Sequence, residues 1–273
     1  LMTVRLAQNI GMDVVVEYAK RFGLVDNLKP LLSMSLGSGE TTLMRMTTAY
    51  AMLVNGGKRV RPTLIDKIQD RTGKTIFRHD MRDCNVCRDT EWDAEVVPSL
   101  PDNRDQIADP KTSYQIVSML EGVVKRGTGR RINALGKPLA GKTGTTNESR
   151  DTWFVGFSPD LAVGVYIGFD TPTPLGKGET GSSVAAPVFK KFMLEALKNQ
   201  PAIPFRIPPG LQLVRINPAT GRPPRPGTRR TILEAFLPGT VPTQRGWVLD
   251  GSDGRVQSVG GSARPAGKMR GLY

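Results

Sequence analysis

Hydrophobic positions along this chain recur with a helical period in some stretches and a two-residue period in others, and the change between them predicts its elements. Met12 to Phe22 reads as a helix stopped by Gly23. Thr42 to Val54 reads as a second, with Leu43, Met46, Tyr50 and Leu53 on one side and Asn55-Gly56-Gly57 as its stop. Arg61 to Phe77 has the character of a hairpin turning at Arg71-Thr72-Gly73-Lys74. Asp109 then caps a helix with Pro110 at its first position. Ile116, Val117, Leu120, Val123 and Val124 form the buried stripe of that helix, and Gly127 ends it.

The period changes after Asn147. Asp151 to Phe157, a turn at Ser158-Pro159-Asp160, and Leu161 to Phe169 form a strand, turn, strand pattern. In the second strand Leu161, Val163, Val165, Ile167 and Phe169 are large and apolar, whereas the alternate positions are Ala162, Gly164, Tyr166 and Gly168. Strand side chains alternate between faces, so one face packs a core and the other is nearly flat. Glycine in a strand marks close approach of another element. Val184 to Lys198, with Phe189, Phe192, Met193 and Leu197 at helical spacing and Pro187 in its first turn, supplies a helix to lie on that flat face. Helices followed by a short antiparallel sheet and a closing helix suit an α+β domain.

Between the capped helix and the strands stands Lys142-Thr143-Gly144-Thr145, which two chemistries can claim. Read from Gly136, Gly-Lys-Pro-Leu-Ala-Gly-Lys-Thr143 has phosphate-loop spacing, in which backbone N–H groups and a lysine hold nucleoside phosphates. That reading needs a strand before Gly136 and a helix from about Lys142. Upstream, however, is the basic, glycine-broken Lys125 to Arg131, and Pro138 has no N–H to offer. Downstream, Gly144 and the β-branched threonines oppose helix. The context favours a sheet edge, where Lys-Thr-Gly is the carboxylate cradle of penicillin-recognising serine acyl-enzymes.

Thr128-Gly129, Lys142-Thr-Gly-Thr-Thr-Asn147 and Asp151-Thr-Trp-Phe-Val-Gly-Phe157 resemble the end of the transpeptidase domain of class A penicillin-binding proteins of the 1A type. Thr3-Val-Arg-Leu-Ala7, Tyr114 to Leu120, Ile207-Pro-Pro-Gly210 and Ile232 to Phe236 extend the resemblance over most of the chain. It implies a penicillin-binding, serine β-lactamase-like fold, incomplete at its N-terminal side, over residues 1–199. It also implies D,D-transpeptidation: a serine attacks the D-Ala-D-Ala amide of a peptidoglycan stem peptide, D-alanine leaves, and an amine of a neighbouring stem peptide resolves the acyl-enzyme. β-Lactams would be acylating mimics of that substrate. Lys142, Thr143, Gly144 and Thr145 would hold the substrate carboxylate, and the Thr145 backbone N–H would be half of the oxyanion hole. The resemblance implies no cofactor or metal, and it places the protein on the periplasmic face of the bacterial inner membrane.

Two family motifs are missing. No serine from Ser33 to Ser262 has a lysine three residues on or an asparagine two residues on, so Ser-x-x-Lys and Ser-x-Asn are both absent. The expectation is a C-terminal piece that begins just after Ser-x-Asn and is inactive alone. A Ser-His-Asp or Cys-His site would need His79, the only histidine, which lies in the polar segment Phe77 to Arg82 and reads as a surface residue.

Composition adds bounds. With 273 residues and 38% hydrophobic content, the chain can bury about one domain's core. Its net charge of +13 is concentrated beyond Pro201, where eleven lysines and arginines face three acids among many prolines and glycines. Residues 200–273 therefore read as a basic, solvated Pro/Gly-rich tail, open to anionic wall polymer or lipid; no nucleic-acid motif accompanies it. Cys84 and Cys87 lie in a charged insertion at about 78–109 and could close a local disulfide, but they make only half a zinc site. Besides the transpeptidase fragment, a nucleotide-binding protein using Gly136 to Thr143 and a non-enzymatic envelope-binding module remain as alternatives.

Overall fold

The structure is a computed structural model and describes residues 2–80 and 101–244. Cys84, Cys87, most of the expected insertion and the end of the basic tail lie outside the described residues. Helices α1 (Met2–Ile10) and α2 (Met12–Arg21) are separated by Gly11, and α3 (Leu43–Val54) begins where the Thr42 hydroxyl accepts the Arg45 N–H. The hairpin β1 (Lys67–Gln69) and β2 (Thr75–Arg78) turns where expected, with the Asp70 carboxylate accepting the N–H groups of Thr72 and Lys74. Helix α4 (Pro110–Arg126) is capped by Asp109, which accepts from Lys111 and Thr112.

The centre is a three-stranded antiparallel sheet of β3 (Ala140–Thr145), β4 (Asp151–Phe157) and β5 (Ala162–Gly168), in the order β3-β4-β5. Helix α5 (Ala186–Ala196) succeeds a π-helical turn over Gly181–Ala185 whose start carries a reciprocal Thr180–Ser183 capping box.

Both faces of the sheet are covered. On one, Phe154 and the odd-numbered side chains of β5 pack against Phe189, Met193 and Leu197, with the Phe154 and Phe189 rings 4.7 Å apart. On the other, Ala140 and Phe157 pack with Val117 of α4, Tyr50 and Leu53 of α3, and Phe205. The flat face of β5 is therefore covered by α3, not by the helix expected from Val184 to Lys198, which takes the large apolar face instead. A Cβ on Gly164 would lie 2.1 Å from the Thr47 hydroxyl and 2.8 Å from Leu43 Cδ1, which shows how closely α3 approaches. Three expected core residues are exposed: Phe169 (55%), just past the end of β5, Phe192 (52%) and Ile116 (37%). The elements read from the hydrophobic pattern do not include helix α1, which Gly11 separates from α2.

Beyond α5 the described chain returns to the body. Phe205 meets Phe157 edge-on at 5.7 Å. The two-stranded ribbon β6 (Gln212–Ile216) and β7 (Ile232–Phe236) docks on α4, where Gln115 donates to the Ala235 carbonyl and Arg126 pairs with Glu234 at 2.7 Å.

Candidate active site

Lys142, Thr143, Gly144 and Thr145 are the last four of the six residues of β3, in register with Val155, Phe154, Trp153 and Thr152 of β4. β3 is an edge strand, so its other side has backbone groups with no strand partner among the described residues. The direction of those groups is set by one bond. Thr146 N–H donates to the Asp151 carbonyl on β4 at 3.2 Å, and because successive residues of a strand point their N–H groups to opposite sides, the N–H groups of Thr143 and Thr145 face the open edge. Gly144 lies flat against the sheet, and a Cβ there would meet Trp153 Cβ at 3.0 Å.

The Lys142 ammonium curls to the same edge, donating to the Thr143 carbonyl at 2.8 Å and lying 3.5 Å from the Thr143 hydroxyl. Partial burial of the ammonium lowers the Lys142 pKa from the ordinary 10.5, and the side chain's remaining contact with solvent limits that effect. A cation and a hydroxyl thus converge beside outward-pointing backbone donors, a geometry that suits a carboxylate.

Three residues that the sequence pattern does not place in the site hold this edge from outside. Thr128, just after α4, brings its hydroxyl to 2.8 Å from that of Thr143. The Gly181 N–H donates to the Thr145 hydroxyl at 3.0 Å, and Ser182 donates to the Thr128 carbonyl at 2.9 Å. Gly181 is packed so tightly that a Cβ would fall 2.5 Å from the carbonyl oxygens of Gly144 and Trp153. Thr128-Gly129 is visible as a motif, but a helix-entry serine carries no sequence signal that links it to Thr128. The loop after β3 is held with two non-glycine residues at positive φ, Glu148 at 59° and Ser149 at 51°, an uncommon conformation next to a candidate site. His79 lies elsewhere, at the base of the β1–β2 hairpin, where its N–H donates to the Asp66 carbonyl.

The phosphate-loop reading of Gly136 to Thr143 fails on this geometry. A phosphate loop needs a helix N-terminus at Lys142 to supply aligned amide donors, whereas Lys142 and Thr143 lie within a strand paired to β4.

The family model for the penicillin binding protein transpeptidase domain matches residues 1–194. The chain belongs to the penicillin-binding protein transpeptidase family. It is 45% identical over 243 residues to penicillin-binding protein 1A of Rickettsia conorii, covering 88% of this chain and 30% of that protein. Against penicillin-binding protein 1A of Pseudomonas aeruginosa it is 34% identical, over 86% of this chain and 32% of the relative. The crystal structure of penicillin-binding protein 1A from Haemophilus influenzae matches with a TM-score of 0.73 at 30% identity, over 90% of this chain and 39% of that one. PonA1 of Mycobacterium tuberculosis, solved in complex with penicillin V, shares the fold at 22% identity and a TM-score of 0.53, over 69% of this chain and 50% of its own. The chain spans about 30% of the length of the curated relatives it matches. The α+β sheet with flanking helices is thus that of a penicillin-binding transpeptidase.

Proposed function

We propose that this chain forms the carboxylate-binding wall and half of the oxyanion hole of a peptidoglycan D,D-transpeptidase, acting within a longer class A penicillin-binding protein whose upstream part carries Ser-x-x-Lys and Ser-x-Asn. The observation that carries the reading is the open edge of β3, with the Lys142 ammonium, the Thr143 hydroxyl and outward N–H groups converging on it. A stem peptide ending in D-Ala-D-Ala would lie along this edge as an added strand. Its terminal carboxylate would meet Lys142 and the hydroxyls of Thr143 and Thr145, and Gly144 would leave room for the ligand backbone.

In the reaction the upstream serine oxygen attacks the carbonyl carbon between the two D-alanines. The N–H of Thr145 and that of the serine stabilise the oxyanion, each such donor typically being worth about 3 to 4 kcal/mol. The C–N bond breaks, the protonated amine of D-alanine leaves, and an amine of a second stem peptide attacks the ester to form the cross-link and release the serine. A β-lactam undergoes the first half alone and acylates the serine as its ring opens. The reading places the protein at the periplasmic face of the inner membrane; no helix among the described residues is long and apolar enough to cross a membrane. Contact of the basic tail with anionic wall polymer or lipid is part of the proposal and rests on charge alone.

The test is labelling with a fluorescent penicillin, read on a denaturing gel, of this polypeptide and of one extended upstream through the two motifs. Only the extended form is expected to label. If neither does, the transpeptidase reading is wrong; if this chain labels alone, it contains a nucleophile outside the two motifs.

A further inference from the structure

Two recesses lie away from β3. One of about 260 Å³ sits between Lys137, the Ser158–Asp160 turn and the end of α5, and the other of about 500 Å³ sits between the end of α2, α3 and residues 59–62. The first has its lysine already committed to the Gln200 carbonyl. The second has Arg45 and Arg59 paired with Asp26 and Asp105. The hydroxyl chain behind the cradle carries an inference further.

Thr128 stands in a loop fixed at both sides: the N–H groups of Gly127 and Gly129 both donate to the Val123 carbonyl, at 3.0 and 3.1 Å. Ser182, at the entry to α5, donates to the Thr128 carbonyl. The Thr128 side chain is therefore aimed at Thr143 by groups on two different helices, and the hydroxyl oxygens of the two threonines are 2.8 Å apart. Either hydroxyl can donate in that contact. The choice is settled by the neighbours once a ligand is bound. The Lys142 ammonium, 3.5 Å away, has only protons to give, so it competes for an acceptor position of the Thr143 oxygen and never for its proton. A ligand carboxylate has only acceptor oxygens, so it requires the Thr143 proton. The remaining acceptor position of Thr143 is then left for Thr128.

We infer that Thr128, held by Ser182, is a positioning residue: its hydroxyl donates to Thr143 and turns the Thr143 proton toward the substrate carboxylate. The inference rests on the proposed carboxylate-binding role of the β3 edge. It assigns Thr128 no contact with the reacting atoms, so its effect belongs to reversible binding of the carboxylate and not to the acylation step.

The experiment uses the full-length protein that contains this chain and measures, by stopped-flow acylation at varied ligand concentration, the reversible dissociation constant and the limiting acylation rate separately. The ligands are a penicillin and its carboxylate ester. Thr128→Val is expected to raise the dissociation constant for the free-acid penicillin on the order of fivefold to tenfold, the effect of losing one hydrogen bond. The limiting rate should stay within about twofold, the ester should bind as it does to the unmodified protein, and Thr128→Ser should restore affinity. Ser182→Ala should shift the dissociation constant in the same direction by less. Equal losses for acid and ester, or no rescue by serine, would reduce Thr128 to a structural residue and overturn the inference. An unmodified protein that acylates while Thr128→Val matches it in every constant would overturn the inference alone. An unmodified protein that does not acylate would overturn the transpeptidase reading as well.

Discussion

Lys142 shows how a single side chain can be kept both charged and responsive. Its ammonium donates to the Thr143 carbonyl, and partial burial lowers its pKa. On binding a carboxylate the protonated form is required, so affinity is present below the lowered pKa and is lost as pH rises through it. Measured on the full-length protein, the dissociation constant for a penicillin is expected to rise on the alkaline side at a pH below the ordinary lysine value of 10.5. Lys142→Met should bind more weakly, by about tenfold or more, and should lack that alkaline limb. An alkaline limb that survives the substitution would assign it to another group. The same shift acts weakly on folding. The folded state holds this proton less tightly than the unfolded chain, so the stability cost is felt below the folded pKa and fades as pH rises past the unfolded value.

At the scale of elements, the packing of α3 on β5 depends on a missing side chain. Gly164→Ala places a methyl 2.1 Å from Thr47 Oγ1 and 2.8 Å from Leu43 Cδ1. The Thr47 and Leu43 side chains must turn away or α3 must shift, and a loss of about 1 to 3 kcal/mol is expected in urea or thermal unfolding, typical of an overpacked core. Unchanged stability would mean that the Thr47 and Leu43 side chains or α3 itself give way without cost. This contact also marks where the sequence stops being legible. The helical period from Thr42 to Val54, the helix cap at Asp109, the turn at Arg71 to Lys74 and the strand alternation after Asp151 are local signals, and each leads to the right element. Which helix covers which face is not local. A flat face beside an apolar one announces close approach without naming the partner, so the pattern alone points the glycine face of β5 to the closing helix, whereas α3 occupies it. The candidate site is legible to the same extent. Lys142 to Thr145 stand out because they are contiguous in one strand, whereas Thr128 and Ser182 meet across 54 positions of chain and become neighbours only once the end of α4 and the entry to α5 are packed against the sheet.

For the whole molecule, two surfaces are of unequal completeness. Met2, Leu6, Ile10, Val14 and Tyr18 recur every four residues along α1 and α2 and are each 41% to 50% exposed. Exposed apolar side chains of this kind favour association in a chain expressed alone. The other end of the body is finished by the segment beyond α5. Phe205 fills the core beside Phe157, and the β6–β7 ribbon is tied to α4 through Gln115 and the Arg126–Glu234 pair. The match to the family model stops at residue 194, short of all of these contacts. A polypeptide cut after Ala196 is therefore expected to unfold at a markedly lower temperature than one cut after Thr240, since deleting the Phe205 ring alone removes about 3 kcal/mol or more. Equal melting temperatures would show that the returning segment is dispensable. For anyone engineering this protein, the homology boundary is the wrong place to put a stop codon or a fusion joint, and a purification tag belongs beyond the ribbon.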